Sequence, residues 1–119
     1  MLFGLLGRDN RGMEPPIAPE ITVEEFIRYR FEAKPQIVDV REPDEYLAGR
    51  ISGSGLMPLA EIGSRMSELD PRRPVVTVCR SGKRSLYAAA AMLAAGFRDV
   101  RSLAGGMIAW SEAGQPVEF

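Results

Sequence analysis

The chain's single cysteine, Cys79, is followed by Arg80-Ser81-Gly82-Lys83-Arg84-Ser85, a stretch that joins a strand-like run to a helix-like one. Gly82 in its middle lets successive backbone N–H groups curl around one point, which makes an anion cradle. From Pro71 to Arg98 there is no carboxylate, whereas Arg72, Arg73, Arg80, Lys83, Arg84 and Arg98 surround the thiol with positive charge. An ordinary thiol, with a pKa of ~8.5, is only about 3% ionised at pH 7. Bringing it to half ionised takes about 2 kcal/mol. A helix N-terminus, worth ~0.3 to 2 kcal/mol, and neighbouring cations can supply that. With no histidine in the sequence, Cys–His chemistry is excluded, and a preformed thiolate is the remaining route to a nucleophile. The competing reading makes Cys79 an inert residue at a strand end and the cations a solvated surface.

The elements that must position this loop are short and alternate. Pro74-Val75-Val76-Thr77-Val78 is nearly all apolar, as suits a strand covered on both faces of a parallel sheet, and Cys79 follows it directly. An alanine-rich helix is expected from about Lys83 to Ala95, with Leu86, Ala89, Ala90 and Leu93 on its apolar side and Gly96 closing it. Gln36 to Val40 reads as a second buried strand and Val100 to Leu103 as a third. A capping box at Thr22 and Glu25 starts the first helix, and Pro43 starts another that runs through Ala48. Leu59, Ile62, Met66 and Leu69 recur at helical spacing and predict one helix over about 59–69. Gly105-Gly106 marks a turn before a last helix from Met107 to Ala113. Strands alternating with helices predict an α/β fold with an open sheet and helices on both faces. In such sheets ligands bind beyond the carboxyl ends of the strands, where Asp39, Arg41 and Cys79 all fall.

A length of 119 residues, 45% hydrophobic and 26% charged, fits one soluble globular domain. A net charge of -1 gives no global reason to expect nucleic acid or an anionic membrane as partner. A lone cysteine forms no internal disulfide and no metal pattern is present, so neither metal nor cofactor is expected and a reducing cytoplasm fits best. The apolar start, Met1 to Leu6, is too short for a signal-peptide core or a membrane span, which argues against export. Pro15, Pro16 and Pro19 make residues 1–19 an extended arm ahead of a domain at 20–119. Such an arm is either an unheld leader or is held by contacts, among them a homodimer partner.

Three segments taken together resemble the rhodanese family. They are Ile37-Val38-Asp39-Val40-Arg41-Glu42-Pro43-Asp44-Glu45-Tyr46, the loop from Cys79 to Ser85, and Leu103-Ala104-Gly105-Gly106-Met107-Ile108-Ala109-Trp110. The resemblance runs from about Glu20 to Phe119 and implies an open sheet of about five parallel strands with helices on both faces. It also implies that Cys79 carries a sulfane sulfur as a persulfide. The Cys79 thiolate would attack the outer sulfur of thiosulfate, release sulfite, and pass the sulfur to cyanide, to an external thiol or to an acceptor protein. Residues Arg80, Ser81, Gly82, Lys83, Arg84 and Ser85 would bind the small anionic donor, while Asp39 and Arg41 would brace the rim. Pro43, Tyr46 and Trp110 read as structural. The chain departs from the family at Gly49-Arg50-Ile51-Ser52-Gly53, where Gly-His-Ile-Pro-Gly is usual; Arg50 is expected to keep a stacking or hydrogen-bonding contact there.

Two rivals accompany this reading. A phosphatase or arsenate reductase on the same fold would use a loop one residue longer, but here the arginine lies five positions after Cys79 and Ser85 stands at the sixth. A persulfide carrier that serves one partner without efficient turnover fits the sequence as well, because with no second cysteine either version needs an outside acceptor.

Overall fold

The computed structural model describes residues 14–119. The apolar start and most of the expected arm, residues 1–13, lie outside the described residues. Residues 14–19 have no regular secondary structure and are held by the chain's own domain. The Tyr87 hydroxyl donates to the Glu14 carbonyl at 3.1 Å, Ala18 packs on the core, and the Ser102 N–H donates to the Pro19 carbonyl at 2.9 Å.

Strands β1 (Glu20–Ile21), β2 (Gln36–Asp39), β3 (Gly55–Leu56), β4 (Val75–Val78) and β5 (Val100–Leu103) form one parallel sheet in the order β1-β5-β4-β2-β3. From β2 the chain moves outward to β3, and from β4 it moves the other way to β5. The topological switch point therefore falls between β2 and β4, where an open α/β sheet leaves a crevice at its carboxyl end. Register places Asp39 opposite Val78, so the ends of these two strands are neighbours.

The helices are α1 (Val23–Glu32), α2 (Pro43–Leu47), α3 (Ile62–Arg65), α4 (Lys83–Ala94) and α5 (Gly106–Glu112). Side chains alternate across β4 as pleating requires. Val75 joins Val38, Ile62, Ala88, Ala89 and Met92 in a core layer on the side of α3 and α4. Val76 and Val78 join Phe26, Leu103, Met107 and Trp110 in a layer on the side of α1 and α5. Each layer excludes water from one sheet face, and together they hold the strand ends in fixed register. Trp110 is core: its ring meets Phe26 edge-on, and its indole N–H donates to the Pro116 carbonyl at 2.8 Å.

Local signals account for most helix starts. The Thr22 hydroxyl accepts the Glu25 N–H at 3.1 Å while Glu25 accepts the Thr22 N–H at 2.9 Å, a reciprocal cap on α1. Pro43 opens α2, and Gly49, at φ 145°, lies just beyond its end.

Two expectations are corrected. The single helix over 59–69 is in fact a 3-10 turn at Leu59–Glu61, α3, and a second 3-10 turn at Met66–Glu68. Gly63 and Ser64 weaken the segment as a continuous helix, since glycine is a poor helix former and the Ser64 hydroxyl bonds the Glu61 carbonyl at 3.1 Å. The buried residues of α4 are Ser85, Tyr87, Ala88, Ala89 and Met92, whereas Leu86, Ala90 and Leu93 stand at its edge, half-buried. Ser85 faces inward, with the bonds described next.

Candidate active site

Cys79 is the first residue past β4 and continues the strand's alternation, so its side chain joins the α4 side of the sheet. The loop behind it turns back at once. Gly82 sits at φ 97°, a left-handed conformation open to glycine, and a Cβ there would come within 3.0 Å of the Gly105 amide nitrogen. This reversal points the Gly82 N–H at Cys79 Sγ at 3.1 Å and the Ser85 N–H at the same atom at 3.3 Å. The Ser85 hydroxyl lies 3.4 Å from Sγ. Ser85 belongs to the first turn of the twelve-residue α4, so the sulfur faces the positive end of that helix.

A second helix clamps the loop from the other side. The Met107 N–H donates to the Cys79 carbonyl at 2.9 Å and the Ile108 N–H to the Arg80 carbonyl at 3.0 Å. That approach needs Gly106, because a Cβ at this position would collide with the backbone of Cys79 and Arg80. Cys79 itself is only 1% exposed, while Arg80 and Ser81 beside it are exposed.

Two carboxylate–guanidinium pairs stand along the same rim. Arg41 donates from Nε to Asp39 Oδ1 at 2.9 Å and from Nη2 to Asp39 Oδ2 at 2.8 Å, and Nη2 also reaches the Gly49 carbonyl at 2.9 Å. Both partners are buried. Arg84 donates from both terminal nitrogens to Glu45 on α2, each bond 2.8 Å long. These hydrogen bonds hold the Glu45 carboxyl at about 2, well below the usual carboxylate range, and raise the Arg84 guanidinium further.

The family model described as the rhodanese-like domain matches residues 22–113. The chain belongs to the rhodanese-like family. A sulfurtransferase from Allochromatium vinosum is 42% identical over 81 residues, covering 68% of this chain and 76% of that one. The thiosulfate sulfurtransferase GlpE of Pseudoalteromonas translucida is 40% identical over 77 residues, covering 65% and 73%. The crystal structure of a rhodanese-related protein from Thermoplasma volcanium superposes with a TM-score of 0.78 at 27% identity, covering 85% of this chain and 98% of that one. The parallel five-stranded sheet is thus the rhodanese-like fold, and the chain stands among rhodanese-like sulfurtransferases.

Within this rhodanese-like site, Cys79, Gly82 and Ser85 come together at hydrogen-bonding distance. Arg80 and Lys83 make no ion pair among the described residues, and Ser81 is exposed beside them. Arg84 faces a carboxylate instead of open space, so the anion-attracting part expected of it is already occupied by Glu45. Arg41 donates to Asp39 and to the Gly49 carbonyl at the end of β2. Arg50 stacks over the Tyr46 ring at 4.9 Å and pairs with Glu118 at 3.9 Å.

Sequence reading missed two residues here. Glu45 stands in the first of the three family-like segments with no role expected of it, yet it pairs with a loop arginine of the second. Ser102, which lies 2.7 Å from the Ser85 hydroxyl, gives no signal until strand register is known. No described helix is long and apolar enough to cross a membrane.

Proposed function

We propose that the protein is a sulfurtransferase that carries sulfane sulfur from thiosulfate, or a similar small anionic donor, on Cys79. The observation behind this reading is the sulfur's surroundings: two backbone N–H groups, at 3.1 and 3.3 Å, meet Sγ at the N-terminal end of α4. Donors fixed in place stabilise a thiolate without reorganising when charge develops. In the loading step, the Cys79 thiolate attacks the outer sulfur of thiosulfate. The new S–S bond forms as the donor's S–S bond breaks, and sulfite departs with the bonding pair. In the second step cyanide or a thiol takes the outer sulfur, and the bonding pair returns to Sγ as thiolate.

Access favours a slim donor, since Cys79 is 1% exposed. The exposed Arg80 and the half-buried Lys83 supply attraction for an anion at the entrance. A phosphatase reading is weakened by Glu45, which occupies both terminal nitrogens of the arginine that would clamp a tetrahedral oxyanion. That same pair favours a persulfide carrier as second reading, because it removes one cation from the attraction of free thiosulfate. In either version the acceptor is an external thiol or a partner protein, and a reducing cytoplasm is the setting that suits the lone free thiol.

Incubation with thiosulfate followed by intact-mass measurement tests the reading. Gain of one sulfur atom by the wild type, and none by Cys79→Ala, is the expected result. Steady-state transfer to cyanide at a useful rate separates enzyme from carrier. A wild type that gains no sulfur overturns both.

A further inference from the structure

On the α4 side of the sheet three hydroxyls, those of Thr77, Ser85 and Ser102, each belong to a residue with 0% exposure. Thr77 and Ser102 are register partners on β4 and β5. The Thr77 hydroxyl is spent on the Ser85 carbonyl at 2.8 Å, which ties the first turn of α4 to the sheet. The other two form a chain: Sγ to Ser85 Oγ at 3.4 Å, then Ser85 Oγ to Ser102 Oγ at 2.7 Å. Among the described residues the Ser102 hydroxyl has no other partner.

Counting hydrogens decides which way the chain runs. Each hydroxyl has one proton to give. If Ser102 donates to Ser85 and Ser85 donates to Sγ, both hydroxyl protons are used, the sulfur receives its third hydrogen bond, and a neutral thiol leaves only its S–H, a weak donor, without an acceptor. If the chain runs the other way, a thiol proton goes to Ser85, Ser85 donates to Ser102, and the hydroxyl proton of Ser102, a residue with no exposed surface, has no acceptor among the described residues. An unsatisfied buried donor is costly, so the first direction is favoured, and it is the only one available when Sγ is ionised and can only accept. Bonds in such a chain also polarise one another, so donation from Ser102 makes the Ser85 hydroxyl a stronger donor to sulfur.

We infer that Ser102 is a positioning residue for the reactive sulfur: its hydroxyl holds the Ser85 proton on Cys79 Sγ and so favours the ionised form. The inference deepens the sulfur-transfer reading and rests on it for its use, although its test does not. The charged groups around the sulfur are Arg80, Lys83 and Arg84 of the loop and α4, Glu45 of α2, and Asp39 and Arg41 at the end of β2. None is altered in the variants below, so their fields cancel in the comparison.

The rate of Cys79 alkylation by iodoacetamide is measured against pH, with no sulfur donor present. Ser85→Ala, which loses a bond to the charged sulfur, is expected to move the midpoint of that curve up by about one pH unit or more. Ser102→Ala is expected to move it up by about half a unit in the wild-type background, and not at all when Ser85 is already alanine. Ser102→Thr, which keeps the hydroxyl, is expected to leave the midpoint in place. An unmoved midpoint in Ser102→Ala, an equal shift in both backgrounds, or a shift in Ser102→Thr as large as in Ser102→Ala would each overturn the inference. If Ser102→Ala does not fold, Ser102→Val, which lacks the hydroxyl but matches threonine in size, takes its place in every comparison. Failure of the wild type to load sulfur, with the alkylation pattern as expected, would sink the proposed function and spare Ser102.

Discussion

Asp39–Arg41 and Glu45–Arg84 are the same kind of pair on the same rim, yet their settings differ. The side chains of the first are 1% and 7% exposed, and those of the second 26% and 27%. A buried pair is weak as a net source of stability but severe when half of it is removed, because the survivor keeps its charge without water or partner. A pair in contact with water loses little when broken. The first pair is therefore architecture, fixing the end of β2 and the Gly49 turn, while the second sets the charge that the loop presents.

The largest effect that follows is from Asp39→Ala, which leaves Arg41 buried and unpaired. Denaturant unfolding is expected to show a loss of about 3–5 kcal/mol. A loss under about 1 kcal/mol would mean that water reaches Arg41 and would erase the contrast between the pairs.

Glu45→Gln comes next. It should cost little stability but release the positive charge of Arg84 next to the sulfur. At low salt the KM for thiosulfate is expected to fall about fivefold, corresponding to about 1 kcal/mol, with a smaller change at high salt. A rise in KM would show instead that Glu45 matters by placing Arg84.

The smallest effect concerns acid. The Glu45 carboxyl ordinarily titrates at 4.5 and is lowered to about 2 in the folded protein. Its contribution is thus complete above the ordinary value and lost as pH falls through the folded one. Melting temperatures of the wild type and Glu45→Gln should differ by a constant small amount above pH ~5 and converge toward pH ~2. Divergence on acidification would reverse the assignment.

How much of this was legible depends on where each signal is stored. β2, β4 and α4 are written in runs of β-branched residues or alanine, and the sequence shows them to within a residue or two. β1 and β3 have two residues each and no period to detect; they exist as strands because β5 and β2 offer them partners. The Cys79 loop was readable because glycine, cations and a following helix lie together in the chain. The Glu45–Arg84 pair joins residues 39 positions apart, and the Ser85–Ser102 bond joins residues 17 apart. Their meaning comes from strand order and register, which no local pattern encodes. The offset of the buried face of α4 has the same origin, since counting apolar residues gives no weight to a serine drawn inward by sulfur.

The contact of α5 with the loop also bears on the polarity of the site. In a trans peptide unit the N–H lies opposite the C=O, so tying down the carbonyls of Cys79 and Arg80 fixes the amides of Arg80 and Ser81 as well. A flipped unit there would forfeit a bond to Met107 or Ile108. A helix whose bonds go to the loop's backbone thereby sets the orientation of two peptide units beside the sulfur without bonding the sulfur itself.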